Sequence, residues 1–274
     1  MSGRKQKPFK ITVTHIGVYL SLILFLLPFL WMILASFKTQ VQILNTENIF
    51  SITANLDNYI SVFEEYAFLK FIINSFIVGI LSTFFGLVLG LPAAYAIAKY
   101  KQEGLGLLIL VARIVPGISF LIPWFIIFSR MQLIDTYTAL ILSHMLVTMP
   151  FIVWVMIPFF EGLPSALEES ARIDGCTIPS AFIRIILPIS GPGIITSTIL
   201  AFIFSWNNFM FSIILAGEKT KTLPIAVFNF LSYSEINWGG LMAASVIITA
   251  PVLILALFAQ RYIIAGLTGG SVKG

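Results

Sequence analysis

The side chains that could perform chemistry are sparse in this sequence, and they are not spaced for catalysis. The two histidines, His15 and His144, lie far apart, and Cys176 is the single cysteine. This spacing predicts no metal site and no intrachain disulfide. The segment 217–220 resembles the end of a phosphate-binding loop, but a glutamate stands where that motif needs glycine before its lysine. We therefore expect no catalytic residues and no ATP binding of this type.

The composition indicates that lipid is the solvent of this chain. Of its 274 residues, 58% are hydrophobic and 10% are charged, against about 25% charged residues in a typical soluble domain. The net charge of +4 does not indicate a nucleic acid partner, because the basic residues are spread along the chain. Their one cluster, at residues 4–10, directly precedes an apolar stretch, as expected beside a membrane.

Six stretches are long and apolar enough to cross a bilayer as a helix of about 20 residues. The predicted spans are 16–36, 71–97, 105–128, 137–160, 191–215 and 239–260. The first is too long for a signal peptide, so we interpret it as an uncleaved transmembrane helix. The sequence thus predicts an all-α, polytopic membrane protein whose residues 1–274 form a single transmembrane domain.

The distribution of Lys and Arg predicts the orientation of these spans. With the N-terminus placed inside, the inner segments contain ten of these residues and the outer loops contain five. Because positive charge accumulates on the cytoplasmic side, both termini are expected there. The long loop 161–190 is expected on the same side.

This loop carries the clearest local signals in the chain. Ser165 and Glu168 fit a capping box that would start a helix at Ala166. Glu168 and Arg172 are four residues apart, which suits an ion pair on a helix surface. Gly175 can adopt a positive φ and end the helix.

A second helix is predicted to follow at once. Thr177 is a suitable cap, and Pro179 fits the first helical turn. Four apolar residues then share one face at helical spacing: Ile178, Phe182, Ile185 and Ile186. From this pattern alone, an ordinary amphipathic connector is as good an interpretation as a functional element.

The loop also resembles the EAA loop of ABC importer permeases. That family has the pattern E-A-A, three residues, G, nine residues, I-x-L-P, and this sequence keeps the spacing from Glu169 to Pro188. It departs only at Ser170 and Cys176, where the family usually has alanine. In the family the loop docks on a cytoplasmic ATPase. The resemblance implies a coupling role for Glu168, Glu169, Ala171, Arg172, Asp174, Gly175, Leu187 and Pro188.

Further segments resemble the second, six-helix subunit of maltose-type permeases, namely Asn74-Ser75, 91–96, 205–209, 222–224 and parts of the tail 260–274. The resemblance implies a type I ABC importer permease in a bacterial or archaeal inner membrane. It also implies a second related permease, two ATPase copies that hold ATP and magnesium, an extracytoplasmic solute-binding protein and a sugar substrate. ATP hydrolysis would then occur on the partner, and this chain would be no enzyme. The sequence does not specify which sugar is carried.

Five residues are candidates for the substrate path. Arg113 is the single charge well inside a span, where a charge is costly and often functional. Trp206, Asn207 and Asn208 combine an aromatic face with amides, which suits a sugar. His144 is also near the middle of a span. Each of these has a structural alternative in helix packing, and Gly86 and Gly90 are interpreted as packing positions only.

The main alternative is an ion-coupled secondary transporter. Such a protein needs buried acidic residues within its spans, and all twelve Asp and Glu residues lie outside the predicted ones. A polytopic membrane enzyme would need a catalytic cluster, which the spacing described above does not provide. Both alternatives are therefore less well supported than the importer subunit.

Overall fold

The computed structural model describes residues 8–45, 47, 55–231 and 236–269. These residues are mostly helical, and the described part of the chain has no strand, only an isolated bridge between Leu231 and Ile236. The predicted all-α fold is confirmed. Three residues of the N-terminal basic cluster, Arg4, Lys5 and Lys7, and both chain termini lie outside the described residues.

The helices follow one another along the chain as α1 (Pro8–Ser36), α2 (Gln40–Leu44), α3 (Asp57–Glu64), α4 (Phe68–Lys99), α5 (Glu103–Ile114), α6 (Leu121–Arg130), α7 (Tyr137–Glu161), α8 (Ala166–Ile173), α9 (Ile178–Ala181), α10 (Leu187–Ile189), α11 (Gly191–Trp206), α12 (Met210–Leu215), α13 (Leu223–Ala226) and α14 (Trp238–Gly269). Short 3-10 turns precede α6 and follow α13, at Gly117–Phe120 and Val227–Phe230. A π-helical turn, Phe182–Ile186, joins α9 to α10.

Four helices among the described residues are long and apolar enough to cross a membrane. They correspond to the first, second, fourth and sixth predicted spans and run over His15–Ser36, Phe68–Lys99, Tyr137–Glu161 and Trp238–Gln260. A fifth crossing passes the same test if the pair Ile178–Ile189 and Gly191–Trp206, bent by 80°, is taken together. The bend lies where the sequence separated the loop 161–190 from the fifth span.

The third and fifth predicted spans are interrupted rather than continuous. Near the middle of 105–128, α5 ends at Ile114, and Val115 and Pro116 have extended backbone. Proline disfavours helical backbone in the residue before it and has no N–H to donate, so the helix stops here. In 191–215, residues 207–209 separate α11 from α12.

The described residues fall into two compact units. The smaller contains the described parts of Met1–Ala67 with Val227–Ile248, and the larger contains Phe68–Ala226 with Thr249–Gly274 as far as it is described. In the smaller unit, the Asn58 amide donates to the carbonyl oxygens of Ser36 and Lys38, at 2.9 and 2.8 Å. These bonds hold α3 against the end of α1.

The larger unit is built on α4, α7 and α11, which pack together as a three-helix bundle. One apolar core lies between the later halves of α4 and α7, and a second joins their earlier halves to α6 and α12. Gly86 and Gly90 of α4 let α7 approach closely, because an added Cβ would lie 3.1 Å from Thr148 Oγ1 or 3.2 Å from Ile152. The predicted packing role of both glycines is confirmed.

Candidate functional site

The first helix of the loop 161–190 starts at Ala166 as predicted, but it has no capping box. Ser165 has helical backbone angles, φ −59° and ψ −29°, and its side chain makes no cap hydrogen bond. A capping side chain needs an extended backbone to reach the following N–H groups, so the predicted box is wrong. Glu168, its other predicted member, turns instead toward α4.

The end of α8 is a Schellman motif. Gly175 has φ +85°, and its N–H donates to the Arg172 carbonyl at 3.1 Å. The N–H of Cys176 donates to the Ala171 carbonyl at 2.9 Å. These two bonds satisfy carbonyls that would otherwise be left open at a helix end, and the left-handed position favours glycine. The prediction for Gly175 is confirmed.

The second helix starts with the predicted cap. Thr177 Oγ1 accepts a hydrogen bond from the Ser180 N–H at 3.4 Å, and Pro179 lies in the first turn. The helix widens into the π turn just before Leu187 and Pro188. Proline cannot donate to the preceding turn, and its ring crowds the carbonyl four residues back, so a wider turn relieves the crowding.

Glu168 forms the main polar contact between the loop and the bundle. Its carboxylate pairs with Lys99 Nζ and accepts a hydrogen bond from the Tyr95 hydroxyl at 2.5 Å. Arg172 makes no ion pair with it in the described structure, so the predicted surface pair is wrong. Burial acts to raise the pKa of the Glu168 carboxyl, but Lys99, Tyr95 and the charge of Arg172 together hold it below its usual value.

Aromatic rings and small residues fix the loop beneath this contact. The Tyr95 ring lies 4.8 Å from that of Phe182 and meets Phe160 edge-on at 5.6 Å. Ala171 and Ile186 are buried alongside them. The predicted apolar face is confirmed for Phe182 and Ile186, whereas Ile185 is half-buried and Ile178, at the start of the helix, is exposed.

The opposite side of the loop is open. Glu169, Arg172, Asp174 and Gly175 are all exposed, and Ile173 beside them is 86% exposed. Leu187 is half-buried and Pro188 is exposed further along. The sequence argument missed Ile173, although an isoleucine between Arg172 and Asp174 at a helix end is itself a signal of an apolar tip.

The path candidate His144 lies in a buried polar network. The side chain is 2% exposed, and its Nδ1 and Nε2 lie 2.7 and 3.5 Å from the hydroxyls of Ser205 and Ser212. Ser205 is also 2.9 Å from the Ser82 hydroxyl. The network therefore joins α4, α7, α11 and α12 through side-chain hydrogen bonds.

Trp206, Asn207 and Asn208 mark the interruption between α11 and α12. Trp206 is 1% exposed and packs edge-on against Phe76 at 4.8 Å, so its indole face is covered by this chain. Asn207 is exposed and donates to the Ile203 carbonyl, while Asn208 Oδ1 accepts from the Phe211 N–H. The amides thus serve the two helix ends.

Arg113 lies apart from these candidates, at the end of α5. Its guanidinium carbon is 5.1 Å from the ring centre of Phe151 and 5.7 Å from that of Trp154, both on α7. Such contacts are cation–π interactions. The side chain is exposed and makes no ion pair within the described residues.

The segment that resembles a phosphate-binding loop binds a carboxylate of the same chain. Asp135 Oδ1 accepts hydrogen bonds from the backbone N–H groups of Gly217 and Thr220, at 2.9 and 3.0 Å, and from the Thr220 hydroxyl at 2.8 Å. Successive N–H groups that converge in this way form an anion-binding nest. Sequence reasoning missed Asp135, whose partners lie more than 80 residues further along.

In the described residues, no three His, Cys, Asp or Glu side chains are grouped to hold a metal ion. The long apolar helices, the broken spans and the exposed helical loop define the class of an all-α, polytopic membrane protein.

Comparisons with known proteins place the chain within that class. Residues 86–269 match the family described as the binding-protein-dependent transport system inner membrane component. The chain therefore belongs to this family and is an integral inner membrane protein. The family resemblance recognised in the sequence is confirmed.

Relatives agree over nearly the whole length. The chain is 37% identical to a trehalose transport system permease protein of Mycobacterium tuberculosis, over 91% of this chain and 93% of the relative. It is 35% identical to an arabinooligosaccharides transport system permease protein of Halalkalibacterium halodurans, over 99% of each chain. The same fold occurs in a bacterial ABC transporter that imports the acidic polysaccharide alginate, with a TM-score of 0.79, 20% identity and coverage of 96% and 99%.

Proposed function

We propose that this chain is one permease subunit of an ATP-driven sugar importer and forms half of its translocation pathway. It would pair with a second, related permease in the bacterial or archaeal cytoplasmic membrane, with both termini inside. The printed functions of the two relatives, trehalose and arabinooligosaccharide transport, support a carbohydrate substrate. Their diversity leaves the particular sugar open.

Energy would come from a separate ATPase, present in two copies, that holds ATP and magnesium. The observation that carries this coupling role is the open side of the loop 161–190. There the family motif residues Glu169, Asp174 and Gly175 are exposed around an apolar tip, while the other side of the loop is fixed to α4. An exposed helix end on a firm base suits docking into a groove, because little conformational entropy is then lost on binding.

The roles of the two sides differ in this proposal. Glu169, Arg172, Asp174 and Gly175 would face the ATPase, whereas Glu168 and Ala171 face the bundle and Leu187 and Pro188 form the connection to α11. An extracytoplasmic solute-binding protein would deliver the sugar on the outer side. Within the membrane, exposed Arg113 and Asn207 remain available to a hydrated path, while His144, Trp206 and Asn208 support the helices that border it.

The direct test is to solubilise the tagged chain from cells that also express its genomic neighbours and to look for a co-purifying ATPase. Glu169→Lys and Gly175→Asp should weaken retention of the ATPase and abolish ATP-coupled uptake, while membrane insertion is unchanged. Gly175→Asn is the matched control, because it has the same size and backbone preference as Asp without the charge. If no ATPase co-purifies with the wild type in mild detergent, the proposal fails, and an ion-coupled secondary transporter becomes the better hypothesis.

A further inference from the structure

Both ends of α4 are tied by polar side chains to a loop, and the two loops lie on opposite sides of the predicted span. One is the loop 161–190. The other is the segment 217–223, which we call the outer loop. The ties at the two ends are independent of each other and use different chemistry.

At the inner end, two residues of α4 hold one residue of the loop 161–190. Tyr95 and Lys99 are one helical turn apart and therefore project from the same face. Both contact the Glu168 carboxylate, and the side chains of Lys99 and Glu168 are only 21% and 14% exposed. A charge-assisted hydrogen bond in such a partly buried place is stronger than one on an open surface.

At the outer end, two neighbouring residues of α4 hold the outer loop. The Asn74 amide donates to the carbonyl oxygens of Lys219 and Lys221, at 3.0 and 2.9 Å. Ser75 Oγ accepts a hydrogen bond from the Leu223 N–H at 2.8 Å. Asn74 is 2% exposed, and its Oδ1 also accepts the Tyr137 hydroxyl at 2.6 Å, so this tie is buried and fully hydrogen-bonded.

The helix between the ties is continuous. Asn74 and Lys99 are about 38 Å apart along it, at about 1.5 Å per residue. It runs through Pro92 without a break, and Gly86 and Gly90 pack directly against α7, as described above. A continuous helix that is tied at both ends can transmit a displacement of one end to the other.

We propose that α4 is a tethered rod that carries movement between the loop 161–190 and the outer loop. Lys99 and Tyr95 are its inner positioning residues, and Asn74 and Ser75 are its outer ones. The proposal rests on the proposed function, because it takes the loop 161–190 to dock an ATPase. It adds the route by which nucleotide-driven movement reaches the outer surface.

The test uses the complex purified with its ATPase, with and without trapping by MgATP and vanadate. Hydrogen exchange is measured at the outer-loop amides of Gly217, Lys219, Thr220 and Leu223, which donate hydrogen bonds in this structure. Trapping should change their exchange in the wild type. Lys99→Glu should keep the ATPase bound but lose this change, and the exchanged pair Lys99→Glu with Glu168→Lys should restore it.

Two further variants complete the design. Lys101→Glu reverses an exposed charge two residues away that makes no ion pair among the described residues, and it should behave as the wild type. Asn74→Leu, far from the docking site, should lose the response of the outer loop and keep that of the α8 amides.

The proposal is refuted if trapping leaves hydrogen exchange at the outer-loop amides of the wild type unchanged. It is also refuted if exchange at these amides still responds to trapping in Lys99→Glu or Asn74→Leu. It is also refuted if Lys99→Glu releases the ATPase and the exchanged pair does not recover it. Absence of the ATPase from the wild-type preparation marks a different failure, that of the proposed function.

Discussion

Gly175 offers the sharpest test of how the loop 161–190 is shaped, because its backbone conformation favours glycine although its surroundings leave space for a side chain. Its φ of +85° lies in the left-handed region, yet a Cβ added to it would meet nothing within 4 Å. A substitution therefore costs backbone energy without a clash inside the chain. For an ordinary L-residue this cost is about 1–2 kcal/mol, and it is smaller for asparagine, which adopts this region more readily.

The comparison to make is Gly175→Leu against Gly175→Asn, because the two side chains have the same branched skeleton of non-hydrogen atoms. A penalty of about 1–2 kcal/mol lowers the population of the native helix end about 5- to 30-fold. Gly175→Leu should therefore weaken the apparent affinity for the purified ATPase by up to this factor, whereas Gly175→Asn should stay near the wild type. The assay is titration of the ATPase onto the permease complex held in nanodiscs.

Equal behaviour of the two variants would refute this reasoning. If both bind normally, the Schellman end is not needed for docking. If both fail alike, the ATPase leaves no room for a side chain, and glycine is required for space rather than for its φ.

Three other predictions concern the bundle and the outer loop. Asp135→Asn should lower the free energy of unfolding by about 1.5–3 kcal/mol, the range for a hydrogen bond to a charged group, and should speed hydrogen exchange at the Gly217 and Thr220 amides. Burial acts to raise the pKa of the Asp135 carboxyl, but its hydrogen bonds from Thr220 and the backbone N–H groups of 217–220 hold it below the usual value. The stabilisation by the ionised Asp135 carboxylate is therefore complete above the ordinary carboxyl pKa of about 3.9 and is lost only as the pH falls through the depressed pKa. The protection factors of the Gly217 and Thr220 amides should then be constant from about pH 8 to 5. A loss of protection with a midpoint near pH 6 would contradict this. Gly86→Leu should separate α4 from α7 and lower the free energy of unfolding in detergent by about 1–3 kcal/mol or more. Gly104→Leu, at an exposed glycine with nothing within 4 Å of an added Cβ, should leave the melting temperature unchanged. Equal melting temperatures of the two variants would contradict the packing. His144→Ala should destabilise by about 2–4 kcal/mol, because it leaves a cavity and removes a partner of Ser205, and unchanged melting would show that the network does not hold the four helices together.

Local signals predicted much of the fold and of the loop. Glycine at a left-handed helix end and a threonine cap both depend on residues within a few positions of each other. Their physics is contained in the local sequence. The same is true of the long apolar spans, where hydrophobicity over about 20 residues decides the outcome.

The predictions that failed depend on distant partners. Glu168 suited a cap at Ser165 and a pair with Arg172, yet it bonds to Lys99, 69 positions away in the sequence. An ion pair that is partly buried is stronger than one on an open helix surface, so the distant partner prevails. One failed prediction, the unbroken third span, has a local cause instead, because Pro116 itself ends the helix.

The packing of Trp206 and the hydrogen bonds of Asp135 could not be predicted from the local sequence either. An indole next to two amides suits a sugar, but Phe76 and Phe202 cover it in the folded chain. The anion-binding role of the N–H groups at 217–220 can be recognised only in the folded chain, where Asp135 lies beside them.

The central claim, that the loop 161–190 docks an ATPase on the cytoplasmic side, is tested most directly at Cys176. This residue is the single cysteine of the chain, directly follows Gly175 and is partly exposed. A thiol-reactive photo-cross-linker attached there, in inside-out membrane vesicles from cells that also express the genomic neighbours, should capture a nucleotide-binding subunit, and Cys176→Ala should capture nothing. Labelling only from the opposite side of the membrane, or a cross-link to no nucleotide-binding protein, would contradict the account.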